Sequence, residues 1–412
     1  LLLAAAVLSL AQPAGAQNNF YLKNGDRVVF YGDSITEQRL YTSFVESYVV
    51  TRFPKLHATF VHSGVGGDRV TGGWMGPIDP RLDRDAIPYH PTVMTIMLGM
   101  NDHGYRPYDE SLFNTYATGY RHILDKMKSA DPGIRFTLII PSPYDDVTRK
   151  PNWDPGNNSV LLKYGDFVKD LAGQEHQTVA DLNGPVVAML QRANGTDAEL
   201  AKKLIPDRVH PGAGGHLIMA ESLLHAWNAP ALVSSVEING AQKQVAHAEH
   251  AHVGKLEADG GGLSWEETED ALPFPLDTSD QTLMLAVHSS DFVDTLDQEP
   301  LKVTGLTGDR YTLKIDGATV GTFSRDELSA GINLATLPTP MLAQARTVHG
   351  LTWKHLDVHQ TRWRNVQFPF LSAMDAAVEH AMAAMDALDA DIVRQQHAAA
   401  QPVPHKYELL PG

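Results

Sequence analysis

Ser34 stands in Gly32-Asp33-Ser34-Ile35-Thr36, between an apolar run and a stretch of helical character. A serine at such a strand-to-helix junction can expose its hydroxyl at a sheet edge. Its backbone N–H then lies near a helix N-terminus, where developing negative charge is favoured. The chemistry this suits is nucleophilic attack on a carbonyl. Alone, the triplet reads equally well as a turn and helix cap. Far along the chain, Asp207 and His210 occupy Ile205-Pro206-Asp207-Arg208-Val209-His210-Pro211. Within one loop, a carboxylate three residues from a histidine can bend back, orient the imidazole and stabilise the imidazolium formed when it takes a proton. The competing reading is a surface turn, because among 19 histidines any one serves surface or packing more often than catalysis.

Two further blocks offer hydrogen-bond donors. Gly67, in Gly64-Val65-Gly66-Gly67-Asp68, allows close backbone approach to a bound atom. Asn101, in Leu98-Gly99-Met100-Asn101-Asp102, carries an amide that donates where an ionised carboxylate cannot. Each is also ordinary turn chemistry. A phosphate cradle is disfavoured, since neither a Walker lysine nor a spaced G-x-G-x-x-G opening a helix is present, and the G-x-S-x-G elbow does not surround Ser34. His247, Glu249, His250 and His252 invite a metal reading. Yet no H-E-x-x-H occurs, and strand alternation would split these side chains between faces, so no metal is expected. Trp74, Tyr105, Tyr108, Tyr144 and Trp153 fall in loops following these blocks and are candidate substrate contacts or packing residues.

The elements that must position these groups alternate. Apolar runs at Arg27–Tyr31, Leu56–His62, Thr92–Leu98, Arg135–Ile140 and Val179–Asp181 read as strands. Helical stretches separate or follow them at Leu40–Thr51, Ser111–Ser129, Val160–Leu171, up to Arg192, and Gly214–Trp227. Such alternation predicts a parallel sheet covered on both faces, with chemistry at loops after the strand C-termini. Beyond Asn228 the pattern changes. Val233–Ile238, Leu283–Val287, Leu301–Val303, Tyr311–Ile315 and Val320–Phe323 read as strands; Gly260–Gly262 and Glu266–Asp270 read as loops. Helical character returns from Met341, most clearly at Met374–Gln396, and Gln401–Gly412 reads as an extended arm.

In this order and at successive strand ends, G-D-S, the second-strand glycine, G-x-N-D and D-x-x-H resemble the SGNH hydrolase (GDSL-type esterase) superfamily. The blocks run from Gly32 to His210. The resemblance implies an α/β, flavodoxin-like parallel sheet flanked by helices, here followed by a small β-rich domain and C-terminal helices. It implies Ser34 as nucleophile, His210 as base, Asp207 as its orienter, and an oxyanion hole from Ser34, Gly67 and Asn101, without a cofactor. Family members often carry asparagine two or three positions before the second-block glycine; here Gly64 and Val65 stand there.

The length of 412 residues, at about 150 per domain, suits two or three domains. We expect 1–16 as a signal peptide, 17–232 as the catalytic domain, 233–335 as a β-rich accessory domain and 336–412 as a helical C-terminal region and tail. The leader expectation rests on the apolar Leu1–Leu10 and the Ala14-Gly15-Ala16 site before Gln17; that run is short of the roughly 20 residues of a membrane span. It predicts a secreted or periplasmic protein. A net charge of −16 argues against general binding to nucleic acid or anionic membranes. Absence of cysteine from the sequence removes disulfides, thiolate metal sites and cysteine nucleophiles from consideration. The expected activity is serine ester hydrolysis through an acyl-enzyme, on a small-molecule or polysaccharide ester, with carbohydrate O-acetyl esters foremost. The alternatives are a lipolytic or aryl-ester acylhydrolase, and a non-catalytic glycan-binding or scaffold protein with an inactive SGNH domain.

Overall fold

The first strand, β1 (Arg27–Gly32), is apolar on both faces, and its side chains divide by alternation. Val28 and Phe30 enter one core and Val29 and Tyr31 another, on the opposite side of the sheet. A strand buried on both faces belongs in the middle of a parallel sheet. In the computed structural model, which describes residues 19–412, β1 pairs in parallel with β2 (Thr59–Gly64) and β3 (Val93–Met97). β4 (Arg135–Ile140) and β5 (Thr178–Asp181) extend the sheet, giving the order β2-β1-β3-β4-β5. The expected leader, 1–16, lies outside the described residues.

This order reverses direction between β1 and β3, the place where open α/β sheets leave a crevice beyond the strand C-termini. Ser34 follows β1 and Asn101 follows β3, so one crevice receives both. The flanking helices are α1 (Ser34–Glu37), α2 (Leu40–Arg52), α3 (Glu110–Ala130), α4 (Asn158–Gln174), α5 (Gly184–Thr196) and α6 (Ala213–Ala226). Helix α1 can lie against β2 only because Gly64 has no side chain: a Cβ there would stand 2.2 Å from the Glu37 backbone nitrogen.

Helix α2 is buried from Tyr41 to Arg52. A helix covered all round needs cover on both sides. The second half of the chain supplies it: α8 (Pro340–Gln360) packs on α2, and α9 (Ala376–Ala399) packs on α8, α7 (Gln281–His288) having already docked on α6.

The region between holds two further sheets. One joins β6 (Ser235–Asn239), β7 (Gln244–Glu249), β10 (Pro300–Thr304) and the short Ile332–Asn333. In the other, β13 (His405–Pro411) lies between β9 (Gly262–Glu269) and β11 (Arg310–Ile315), with β8 (Ala251–Val253), the short Glu257–Asp259 and β12 (Ala318–Ser324) further out.

Three expectations change here. Leu283–Val287 belongs to a helix: Asp280 caps it, accepting the Thr282 and Leu283 N–H groups at 2.8 and 3.1 Å, and a short apolar run has no period that excludes a helix. Glu266–Asp270 is no loop, because β9 continues through Glu269 with Trp265, Glu267 and Glu269 all turned inward. Gln401–Gly412 is no arm, since Tyr407 and Leu409 alternate into the accessory core and pair with Trp265 and Leu263. Among the described residues no helix is long and apolar enough to cross a membrane.

Candidate active site

At the end of β1, the buried Asp33 caps α1, its carboxylate accepting the Ile35 N–H at 3.0 Å. Burial pushes this acid up to about 7. Ser34 therefore opens a helix, and among the described residues its N–H and that of Gly67 have no acceptor. Gly67 adopts φ +75°, a conformation that favours glycine, so its N–H is turned by the backbone alone.

The Asp207–His210 loop reaches the same point from 176 residues away. Asp207 Oδ1 accepts the backbone N–H groups of Val209 and His210 at 2.9 and 2.7 Å, an Asx turn that folds the carboxylate back. Its Oδ2 stands 2.6 Å from His210 Nδ1. With Nδ1–H donating to the carboxylate, Nε2 is left to accept from Ser34 Oγ, 2.8 Å away. Partial burial would raise the Asp207 carboxyl, but the backbone and ring bonds from His210 and the Val209 N–H outweigh it and hold it below its usual range. Arg208, between the two, sits at φ +74°. Distant bonds hold this strained turn: the Asp145 N–H donates to the Arg208 carbonyl at 2.9 Å, and Arg149 grips the carbonyls of Lys202, Ile205 and Pro206 at 2.9–3.0 Å.

The Asn101 amide is oriented from both ends. Nδ2 donates to the Asp68 carbonyl at 3.0 Å, and Oδ1 accepts from the Tyr105 hydroxyl at 3.2 Å. One Nδ2–H remains for a ligand. Asp68 is fixed in turn by the buried Arg81, 3.0 Å away. Serine hydroxyl, imidazole and carboxylate thus stand in one hydrogen-bonded line, and the Ser34 and Gly67 N–H groups and one Asn101 Nδ2–H on the neighbouring turns are left for a ligand, which is equipment suited to acyl transfer.

The aromatic candidates divide. Tyr105 orients Asn101 and meets Tyr144 edge-on at 6.4 Å, and Arg208 lies 5.9 Å over the Tyr144 ring. Trp74 is 56% exposed, with Phe368 edge-on at 5.4 Å. Trp153 packs against the core on the α3–α4 side of the sheet, and Tyr108 packs against Phe113 under Lys163. His247, Glu249, His250 and His252 lie exposed on or beside β7 and β8, outside this crevice. Among the described residues no group of three ligating side chains could hold a metal. Composition and spacing did not reveal Arg149 or Arg81, because what they hold at the site, the Lys202, Ile205 and Pro206 carbonyls and Asp68, are backbone groups or residues distant in sequence.

A serine–histidine–carboxylate site on a 2-1-3-4-5 sheet defines a class, the serine hydrolases built on a flavodoxin-like fold. Residues 30–218 match the GDSL-like Lipase/Acylhydrolase family, so the first half of the chain is an SGNH-type hydrolase domain and the protein is a carboxylic ester hydrolase. An acetylxylan esterase of Geobacillus stearothermophilus is 24% identical over 224 residues, 49% of this chain and 93% of its own. The solved structure of a gut microbial diltiazem-metabolizing enzyme is similar over 97% of this chain and 100% of its own, with 27% identity and a TM-score of 0.84.

Proposed function

We propose that the protein removes O-acetyl groups from carbohydrate through an acyl-enzyme on Ser34. The observation that carries the mechanism is the relay from Asp207 through His210 to Ser34 Oγ, at 2.6 and 2.8 Å. His210 Nε2 takes the hydroxyl proton as Ser34 Oγ bonds to the ester carbonyl carbon. The resulting oxyanion is met by the N–H groups of Ser34 and Gly67 and by Asn101 Nδ2–H. His210 returns the proton to the departing alcohol oxygen as the C–O bond breaks. Water then repeats the sequence, releasing acetate and free Ser34. No step requires a cofactor.

The carbohydrate assignment is supported by the acetylxylan esterase relative and by exposed aromatic faces on the loops after β2 and β3, Trp74 and Tyr105, which suit sugar rings. Acetate release from acetylated xylan, and kcat/KM for acyl esters of graded length and for diltiazem, test it. Acetyl esters of sugars should lead; a kcat/KM rising with acyl length would overturn it. Export belongs to the same proposal, supported by Leu1–Leu10 and Ala14-Gly15-Ala16. Exported material should begin at Gln17, and material retaining residues 1–16 would count against it.

A further inference from the structure

The loop carrying Gly67 is held from outside the hydrolase domain. Glu37 Oε2 accepts the Gly66 N–H at 2.7 Å. Its other oxygen, Oε1, forms an ion pair with Arg364, which lies within Thr361–Gln367 immediately after α8. Trp363, 4% exposed, is also buried against Val65, which precedes the glycine turn, and against Met75. Thr361–Gln367 is wound as a π-helix, with the Phe368 N–H reaching back to the Trp363 carbonyl at 2.8 Å. Trp363 and Arg364, neighbours in sequence, thus meet Val65 and Glu37, both of which border the Gly66–Gly67 turn. The segment is itself tied down, since Arg362 bonds Asp386 of α9 at 2.7 Å and Gln367 at 2.7 Å.

Carboxylate and serine both border this turn: a Cβ on Gly66 would lie 2.9 Å from Glu37 Oε2 and 3.9 Å from Ser34 Cβ. Glu37 is also three residues beyond Ser34 on α1, so a force on its carboxylate acts on both donors proposed for the oxyanion.

We propose that Glu37 and Arg364 are positioning residues, a brace through which the C-terminal half of the chain fixes the Gly66–Gly67 turn against Ser34. This rests on the ester-hydrolase reading. Arg364 neutralises Glu37 and holds its side chain extended; Glu37 then sets the Gly66 peptide, and with it the direction of the Gly67 N–H. Neither residue touches the reacting atoms, so the effect falls on transition-state stabilisation rather than on substrate binding.

The test is steady-state hydrolysis of 4-nitrophenyl acetate by the full chain, with thermal unfolding measured on the same samples. Arg364→Ala and Glu37→Gln should each lower kcat about tenfold, with KM within about twofold, because sub-ångström misplacement of a donor costs turnover. The double variant should be no worse than the poorer single, the mark of residues acting as one unit. Arg364→Lys should recover much of the loss. Because Arg364 also lies 5.5 Å over the Trp74 ring, Trp74→Ala is the control. An Arg364→Ala enzyme that copies Trp74→Ala, with KM raised and kcat intact, would overturn the brace. So would additive losses, or a lowered melting temperature with normal kcat in the folded fraction. A wild-type rate that survives Ser34→Ala would sink the hydrolase reading and the brace with it. A Ser34-dependent rate indifferent to Arg364 would sink the brace alone.

Discussion

Helix α2 sends one charge into each of two buried seams, and the seams treat charge in opposite ways. Toward α8, Glu46 meets His355 Nε2 at 2.6 Å and His62 Nε2 at 3.0 Å, and Gln396 donates to it at 2.8 Å. Burial would raise Glu46, but His355 and His62 together outweigh it and hold the acid well below its usual range. Burial likewise opposes a charged His355, yet Glu46, then Asp389, push it up to about 10. Toward the accessory sheets, Arg52 bonds the carbonyls of Pro230, Ala231, Leu232 and Leu296 at 3.0–3.3 Å and stands 3.5 Å from Asp297. Nearby, Glu267, Glu269 and Glu299 are buried as well. Burial pushes Glu267 up to about 8 and Asp297 to about 7. One seam closes on charge pairs, the other on bound protons. Charge pairing keeps the first at full strength between about pH 4.5 and 6.5 and weakens it above, as His355 gives up its proton; the second loosens as its buried acids lose theirs.

Removing a partner should therefore cost different amounts in the two seams and at different pH. The largest effect is expected for Arg52→Met, about 3–5 kcal/mol of stability at pH 8, where Asp297 must either stay ionised without its cation or take up a proton against the medium. At pH 5 the loss should shrink, because Asp297 can take up a proton. Denaturant melts at both pH values check this, and an equal loss at each would break the contrast. Asn101→Ala, away from both seams, sharpens it from the other side. Its kcat should fall by roughly 10²–10³ with no change in melting temperature, through loss of one oxyanion donor. If the folded variant keeps its kcat, Asn101 is not a donor.

Glu46→Gln should cost about 1–3 kcal/mol near pH 6, as His355 loses its counter-charge while hydrogen bonding is partly kept. The sign follows from both partners. The depressed Glu46 contributes above about pH 4.5 and loses its contribution as pH falls; the raised His355 contributes fully below about 6.5 and loses it as pH rises through about 10. Wild type and variant should thus converge at alkaline pH. The smallest effect is expected for Glu299→Gln. A raised carboxyl makes the folded state hold a proton that the unfolded chain releases, so stability falls as pH climbs from the usual carboxylate range. The amide, with no proton to release, should flatten that fall. A steeper decline in the variant would refute it.

What was legible in the sequence follows from where information is local. Parallel strands buried on both faces are unbroken apolar runs, so β1, β3 and β4 could be read to within a few residues. The G-D-S, G-x-N-D and D-x-x-H blocks each sit in one short loop; the first two lie at the ends of β1 and β3 as expected, but D-x-x-H lies at no strand end, two helices beyond β5 in the loop before α6. The braces were illegible for the converse reason. Arg364 and Glu37, or Arg149 and the Lys202 carbonyl, meet only after the chain has folded, and neither has a spacing to recognise. In β9 the alternation was present, but Glu267 and Glu269 stand at inward positions, so a strand whose buried face carries acid looked like a solvated loop.

The strand β13 has a consequence for how the chain is made. Leu409 pairs with Leu263 on one side and Leu313 on the other, so β9 and β11 do not pair with each other and wait for the same late segment. During vectorial synthesis both would leave the ribosome with bare hydrogen-bonding edges while the hydrolase sheet, whose strands follow one another closely, could already close. Bare edges of this kind recruit other strands. Slowed synthesis beyond α8, or a proteolytic nick ahead of His405, would then leave a closed hydrolase sheet attached to an open, adhesive one.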